Sequence, residues 1–163
     1  MKKICAIKAI QNGHPLFLAW MPVKDLKLKP QEDKTPGGIR VDIMDRKENP
    51  EGYQREPSST RANAFGRYVG RAKGISPTAI LLSLRTAVTL NGKKAGEPYF
   101  ETQDKESGFG TLNIPDDVSL WLVDGQHRVQ GLNSLVEDEK YADYENFPVA
   151  TVLMPTEVEG EEK

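Results

Sequence analysis

A strand, a tight turn and a helix follow one another without a linker over residues 119–136, which read SLWLVDGQHRVQGLNSLV. Residues 120–123 are apolar strand formers. Gly125 supplies the backbone freedom that a sharp turn needs, and the Asp124 side chain can cap the helix that follows. The helix is predicted from apolar residues at helical spacing, namely Val129, Leu132, Leu135 and Val136. Such a unit directs backbone N–H groups and the positive end of a helix dipole at one spot, which favours an anion there.

Two cations lie at the start of this predicted helix, Arg128 and, when it is protonated, His127. A cation in the first helical turn opposes the helix dipole and costs about 0.3–1 kcal/mol. On a helical wheel Arg128 also lies beside Leu132 and Leu135, on the apolar side, where a charge needs a partner. The sequence leaves two kinds of partner open for Arg128. A bound phosphate would make the turn a ligand site, whereas a carboxylate or the solvent would make Arg128 a structural residue.

The pentapeptide DGQHR at residues 124–128 is followed by Gly131 and Leu132 and resembles the signature of DGQHR-domain proteins. The best-known members of that family are the DndB proteins of DNA phosphorothioation systems. The DGQHR domain is in turn similar to the ParB/sulfiredoxin superfamily, in which the equivalent strand–turn–helix binds nucleotide phosphates. The resemblance therefore implies an α+β fold, in which a few helices accompany a small mixed β-sheet.

The resemblance extends upstream of the turn and covers residues 53–152. Its other elements are residues 52–55 (GYQR), Arg61, Tyr68 and an apolar strand at residues 79–84. The chain differs from sulfiredoxins at Gln126, because sulfiredoxins carry a reactive cysteine at the equivalent position. Without that thiol the sulfiredoxin reaction is not expected here.

A second helix is predicted over residues 62–72, and residues 57–60 (PSST) supply its N-terminal cap. Arg61 is predicted to project from the first turn onto the apolar side of this helix. Arg61 and Arg128 thus show the same pattern on two helices, and one anion between the two helix starts would satisfy both side chains. The alternative for Arg61 is a buried salt bridge, with Asp124 as the candidate partner.

The helical wheel divides this second helix into two faces. The apolar face consists of Ala62, Phe65, Tyr68, Val69 and Ala72, and the opposite face of Asn63, Gly66, Arg67 and Gly70. Arg67 and Arg71 are one turn apart and are predicted to point outward. Outward arginines usually form a solvated surface, and contact with DNA is the alternative.

Three further strand predictions follow from local pattern. A β-hairpin is predicted with strands at residues 4–10 and 16–21, because Asn12-Gly13 between them is the sequence of a type I′ turn. Alternating apolar and charged residues predict a half-buried strand at residues 39–43. A closing strand is predicted at residues 147–154.

The resemblance implies where a phosphate would bind. The implied phosphate-binding residues are Gln54, Arg55, Arg61, Gly125, Gln126, His127 and Arg128. ATP or CTP with Mg²⁺ is the implied ligand, and nucleotide hydrolysis is left open, with Asp124 and Gln126 as candidate catalytic residues. The sequence contains no Walker motif and no GxGxxG after a strand, so a nucleotide site must use the DGQHR turn. His14 and His127 lack metal-ligand spacing, so no zinc site is expected. Asp124 is the one residue left open as a metal ligand, and its capping role competes for the same oxygens.

At 163 residues the chain is long enough for one domain with its own core, which is predicted over residues 1–154. Residues 155–163 are acidic and poor in apolar side chains, so they are expected to be disordered. The net charge of −2 excludes a globally basic protein. However, residues 1–100 carry 18 Lys and Arg against 9 Asp and Glu, while residues 101–163 carry 4 against 15. This asymmetry permits a basic face for an anionic partner such as DNA.

Neither a membrane protein nor a signal peptide is expected. No apolar stretch approaches membrane-spanning length, and the N-terminal apolar segment is interrupted at Lys8 and Gln11. A single cysteine, Cys5, excludes an internal disulfide. The simplest compartment is the cytoplasm.

The function implied by the resemblance is nucleotide or phosphate binding, in association with phosphorothioation-type DNA modification or its transcriptional control. The partners left open are DNA, DNA-modification proteins and further copies of the chain in a homo-oligomer. One alternative is a non-enzymatic DNA- or protein-binding module. Another is a truncated family member in which the turn is only structural, because family members continue with further helices.

Overall fold

The computed structural model of the chain describes residues 1–41, 58–85 and 98–156. The strands are β1 (Lys2–Gln11), β2 (His14–Pro22), β3 (Ile39–Val41), β4 (Ile80–Arg85), β5 (Tyr99–Asp104), β6 (Phe109–Ile114), β7 (Ser119–Asp124) and β8 (Pro148–Thr156). The helices are α1 (Ser59–Gly70) and α2 (Gln126–Glu137), with 3₁₀ segments at Val23–Asp25 and Glu139–Asn146. The predicted α+β class is confirmed.

These eight strands form one mixed sheet, in the order β3-β7-β4-β8-β2-β1-β6-β5. The pairs β3–β7 and β4–β8 are parallel, and the other neighbours are antiparallel. Inward side chains of the sheet and of both helices form one apolar core, which includes Leu82, Leu153, Val69 and Leu132. Within the described ranges, no helix has the length and apolar character needed to cross a membrane.

The N-terminal hairpin forms where it is predicted, and its turn has the φ angles expected of the predicted turn type. Asn12 has a φ of 49° and Gly13 a φ of 81°, which are the two positive values that a type I′ turn requires. At the other end, β8 runs to Thr156. The predicted boundary of the disordered tail at residue 155 is therefore wrong by two residues, because the strand continues to pair with β4. Residues 157–163 lie outside the described part of the chain.

Strand β3 is more buried than predicted. Ile39, Arg40 and Val41 are all buried, so the prediction of a half-buried strand is wrong for these residues. Arg40 is only 5% exposed, and its Nη2 donates to the Thr35 carbonyl oxygen at 2.6 Å. Burial lowers the pKa of this guanidinium, while the charge of Asp33 acts in the opposite direction. The rest of the predicted strand, residues 42–43, lies outside the described residues.

Helices α1 and α2 approach each other through their backbones. Gly66 and Gly70 are buried although the helical wheel places them on the outer face, and Gly131 is buried on α2. A Cβ atom on Gly66 would lie 2.8 Å from the Gly131 carbonyl oxygen, and one on Gly131 would overlap the Ala62 carbonyl oxygen. The predicted faces are therefore wrong at the two glycines of α1. The helices pack at a separation that only the absence of side chains permits.

One large side chain of the predicted apolar face of α1, that of Tyr68, lies outside the core. Ala62 and Val69 are buried as predicted, but Tyr68 is 46% exposed. The Tyr68 hydroxyl accepts a hydrogen bond from the Ile75 N–H at 3.2 Å. Tyr68 therefore orders the loop after α1 instead of filling the core.

Asn133 fastens α2 to the segment that follows β2. Its side-chain oxygen accepts from the Leu28 N–H at 2.9 Å. Its amide nitrogen donates to the Leu26 carbonyl oxygen at 3.0 Å and to the Val129 carbonyl oxygen at 2.9 Å. These three bonds help to set the position of α2, and with it the turn at its start.

Replacing Gly131 with alanine is expected to destabilise the protein by about 1–3 kcal/mol, because the new methyl group has no room between the helices. At an uncrowded helix position the same change would stabilise the protein by about 0.5–1 kcal/mol, so the sign of the effect is diagnostic. Urea unfolding followed by circular dichroism measures the change. Ser134→Ala, at an exposed position of the same helix, is the control. A gain of stability in Gly131→Ala would contradict the backbone contact.

Candidate functional site at the DGQHR turn

A glycine in the left-handed region makes the turn. Strand β7 ends at Asp124, Gly125 has a φ of 97°, and α2 begins at Gln126. A Cβ atom on Gly125 would also overlap the Ile80 side chain and lie 3.2 Å from the Arg128 guanidinium. Conformation and available space therefore both require glycine at this position, which confirms its predicted role in making the turn.

The start of α2 lacks a side-chain cap among the described residues, because its N-cap residue is Gly125. The Asp124 side chain is 69% exposed and lies 3.9 Å from the Arg128 guanidinium. The prediction that Asp124 caps α2 is therefore wrong, since the helix begins one residue too late for it. At the start of α1, by contrast, the Ser58 hydroxyl accepts from the Arg61 N–H at 3.4 Å. The N-cap residue thus leaves the N–H groups of His127 and Arg128 without a side-chain cap, which is the arrangement in which a helix start can receive an anion.

The protein itself supplies partners for Arg128. The guanidinium donates to the main-chain carbonyl oxygens of Thr78 and Ala79, the latter at 3.3 Å. The Arg128 side chain is 21% exposed, so the expectation that its charge needs a partner is confirmed. The structure provides that partner mainly from the backbone that leads into β4, and Asp124 adds a distant carboxylate. These bonds tie the start of β4 to the start of α2.

His127 joins the starts of the two helices. Its Nε2 accepts a hydrogen bond from the Ser58 N–H at 3.1 Å, which assigns the proton of a neutral imidazole to Nδ1. In this arrangement the His127 side chain connects the starts of α1 and α2. Further along the helices, Ala62 of α1 lies beside Gly131 of α2. Because Ser58 lies beside His127 and Ala62 beside Gly131, the two helices run side by side in the same direction. Their N-termini therefore lie together, as a shared anion would require.

Arg61 is placed differently from its prediction. Its side chain is exposed, and it has neither a hydrogen bond nor an ion pair with any described residue. The predicted inward position is wrong, because Ala62 and Gly66 face α2 instead, and the alternative salt bridge to Asp124 is not formed. Residues 54–55, the predicted rim of the site, lie outside the described residues.

An open pocket lies at the turn. Its volume is about 410 Å³, and its described lining consists of Asp124, Gly125, Gln126, His127 and Arg128. Gln126 is only 7% exposed, so the open carboxylate of Asp124 is the more accessible of the two candidate catalytic groups. No three His, Cys, Asp or Glu side chains of the described ranges are grouped to hold a metal ion. The arrangement offers an anion N–H donors, with one carboxylate nearby.

Sequence reasoning missed the groups that hold this site together. The sequence does indicate Ser58 as part of the cap of α1, which is predicted at residues 57–60. It does not indicate the bond from Ser58 to His127, because that bond joins positions far apart in sequence. Nothing in the sequence indicates the carbonyl groups of Thr78 and Ala79 as partners of Arg128, because every residue carries a carbonyl. A partner of that kind is visible only in the folded chain.

The fold and the turn together define an α+β protein with a candidate anion site at a strand–turn–helix junction. The chain matches the DndB family, described as DNA-sulfur modification-associated, over residues 4–161. It therefore belongs to the DndB family, and the resemblance read from the DGQHR motif is confirmed. No curated protein and no solved structure matches the chain. The ParB/sulfiredoxin-like architecture stays a prediction.

Arg128→Ala is expected to destabilise the ligand-free protein by about 1–3 kcal/mol, because it strands the carbonyl oxygens of Thr78 and Ala79. Arg128→Lys should recover only part of the loss, since an ammonium lacks the fixed fork of a guanidinium. Urea unfolding of both variants tests this, with Arg67→Ala, an exposed arginine of α1, as the matched control. If Arg128→Ala were as stable as the control, the bonds to the backbone would not support the fold.

Proposed function

We propose that this DndB-family protein binds a phosphate group at the start of α2, with ATP or CTP and Mg²⁺ as the ligand. We further propose that binding serves DNA sulfur modification or its transcriptional control. The observation that carries the proposal is the start of α2, where the N-cap residue Gly125 provides no side-chain cap, beside the pocket lined by residues 124–128. Such a helix start attracts anions through its N–H groups and its dipole. The family description supports the biological setting.

The side chains at this site divide between binding and positioning. Arg61, exposed at the neighbouring helix start, offers a guanidinium to phosphate oxygens. Arg128 and His127 act mainly by position, because their polar atoms already hold the backbone before β4 and before α1. Gln54 and Arg55 are the further phosphate-binding residues that the family resemblance implies.

Mg²⁺ fits this site as a companion of the nucleotide. It is commonly held by phosphate oxygens, water and one or two carboxylates, without a dedicated protein cage. Asp124 is the carboxylate of the pocket and is open to solvent. For hydrolysis Asp124 is therefore the first candidate and the buried Gln126 the second. Asp124→Asn should retain phosphate binding and reduce the release of inorganic phosphate from ATP or CTP.

Binding is tested by thermal unfolding with ATP, CTP or inorganic phosphate, each in the presence of Mg²⁺. A ligand at 100 times its Kd should add about 2.7 kcal/mol to the stability of the protein. Arg61→Ala should weaken binding about 10-fold or more, since a hydrogen bond to a charged group contributes about 1.5–3 kcal/mol. Arg67→Ala, two turns further along α1, is the control and should bind like the unchanged protein. Stabilisation by none of the three ligands would overturn the proposal.

The exposed side of α1 favours a second role, contact with the DNA backbone. Residues 58–73 contain four cationic residues and no acidic one. Arg61, Arg67 and Arg71 are exposed. Lys73 packs 5.6 Å from the centre of the Tyr144 ring and donates to its hydroxyl at 3.2 Å. Arg67 and Arg71 also line a groove of about 190 Å³ between α1 and α2, so they are the residues we assign to DNA phosphates.

DNA binding is tested by fluorescence anisotropy with a duplex at several salt concentrations. Each phosphate contact should contribute about −0.9 to the slope of log K against log salt. The double change Arg67→Ala and Arg71→Ala should therefore make the slope shallower by about 2. Lys24→Ala, an exposed cation outside α1, should leave the slope unchanged. Absence of binding at low salt would remove this role and favour a protein-binding module.

A further inference from the structure

A row of apolar side chains crosses four neighbouring strands on the side of the sheet that faces away from the core. Phe109 of β6 lies directly opposite Ile7 of β1, Ile7 opposite Leu18 of β2, and Leu18 opposite Val152 of β8. Residues that face each other across a ladder project to the same side of a sheet. Their alternating neighbours Ala6 and Phe17 are buried in the core. The row itself is therefore on the outer side.

The row is open to solvent. Ile7 is 47% exposed, Leu18 46% and Phe109 39%. Trp20, two residues beyond Leu18 on the same side of β2, is 64% exposed. The solvent side of an antiparallel sheet ordinarily carries polar residues in alternation with the core residues. Here the alternation places apolar residues on both sides, which indicates a surface that is covered by a partner.

We propose that this outer apolar face, formed by Ile7, Leu18, Trp20, Phe109 and Val152, is where two copies of the chain pack sheet against sheet. The charges on the same side of the sheet favour a second copy over a nucleic acid. Lys3 lies on this side of β1, while Glu101 and Asp104 of β5 face Thr111 and Phe109 of β6. A polyanion would meet these carboxylates, whereas a second copy presents cations and carboxylates to each other.

The exposed area also fits a second copy. The four exposed side chains of the face, Ile7, Leu18, Trp20 and Phe109, present roughly 400 Å² of apolar surface, given about 150–250 Å² for a fully exposed large side chain. A standard interface buries about 800 Å² per partner, and a little over half of that area is apolar. The apolar share of a standard interface is thus already present on this side of the sheet. Two sheets pack face to face in this manner in β-sandwiches, about 10 Å apart.

The test is the mass of the full chain in solution, measured by sedimentation equilibrium over a series of concentrations. We expect twice the chain mass of 18.2 kDa, with dissociation on dilution. Leu18→Glu should give a monomer, because it places a charge in the centre of the face. The matched control is Ile75→Glu, at an aliphatic residue that is 71% exposed in the loop after α1, and it should remain a dimer.

Cys5 provides a second readout that does not depend on a substitution. It is the single cysteine of the chain, is exposed, and lies on the outer side of β1 opposite Thr111. Its rate of reaction with a thiol reagent should fall as the protein concentration rises, and Leu18→Glu should abolish that dependence. Trp20→Ser replaces Leu18→Glu if circular dichroism shows that the latter does not fold. A monomer at every concentration, or a dimer that survives both changes, overturns the proposal.

Discussion

Contact between the backbones of α1 and α2 is the constraint on which the candidate site depends. Gly66 and Gly131 let the two helices approach until the atoms of one backbone meet those of the other. At that separation the Ser58 N–H reaches His127, and the two helix N-termini come together at one end. A side chain at either glycine would move the helix starts apart. The place where an anion can meet both helices is therefore a consequence of packing between small residues.

The DGQHR motif is largely explained by structure before a ligand is considered. Gly125 has a left-handed conformation, Gln126 is buried, His127 holds the start of α1, and Arg128 holds the backbone before β4. In the proposed function, anion binding falls to backbone N–H groups at the start of α2 and to Arg61, which lies outside the motif. Stability and ligand binding are thus assigned to different residues. This separation makes the two roles accessible to independent tests.

The two sides of the sheet carry different surfaces. One side supports the helices, the DGQHR pocket and the cationic surface of α1, and the other carries the outer apolar face. In a dimer that pairs the apolar faces, both pockets and both α1 helices remain on the outside. Two sites on one particle raise the effective concentration for a long anionic partner, so modest DNA affinity per copy would suffice. The family association with DNA sulfur modification is consistent with such an arrangement.

The sequence by itself determined the local elements, because each depends on neighbouring residues. Asn12-Gly13 specifies its turn, the serines at residues 58–59 specify the start of α1, and DGQHR marks a strand–turn–helix and the family. Only the tertiary structure decided the partner of Arg128, the exposure of Arg61, the burial of Gly66 and the open apolar side of the sheet. A helical wheel ranks faces by hydropathy, but the contact face of α1 is chosen by how closely another backbone approaches it. Strand alternation likewise shows which residues share a side, whereas what covers that side depends on where the helices pack.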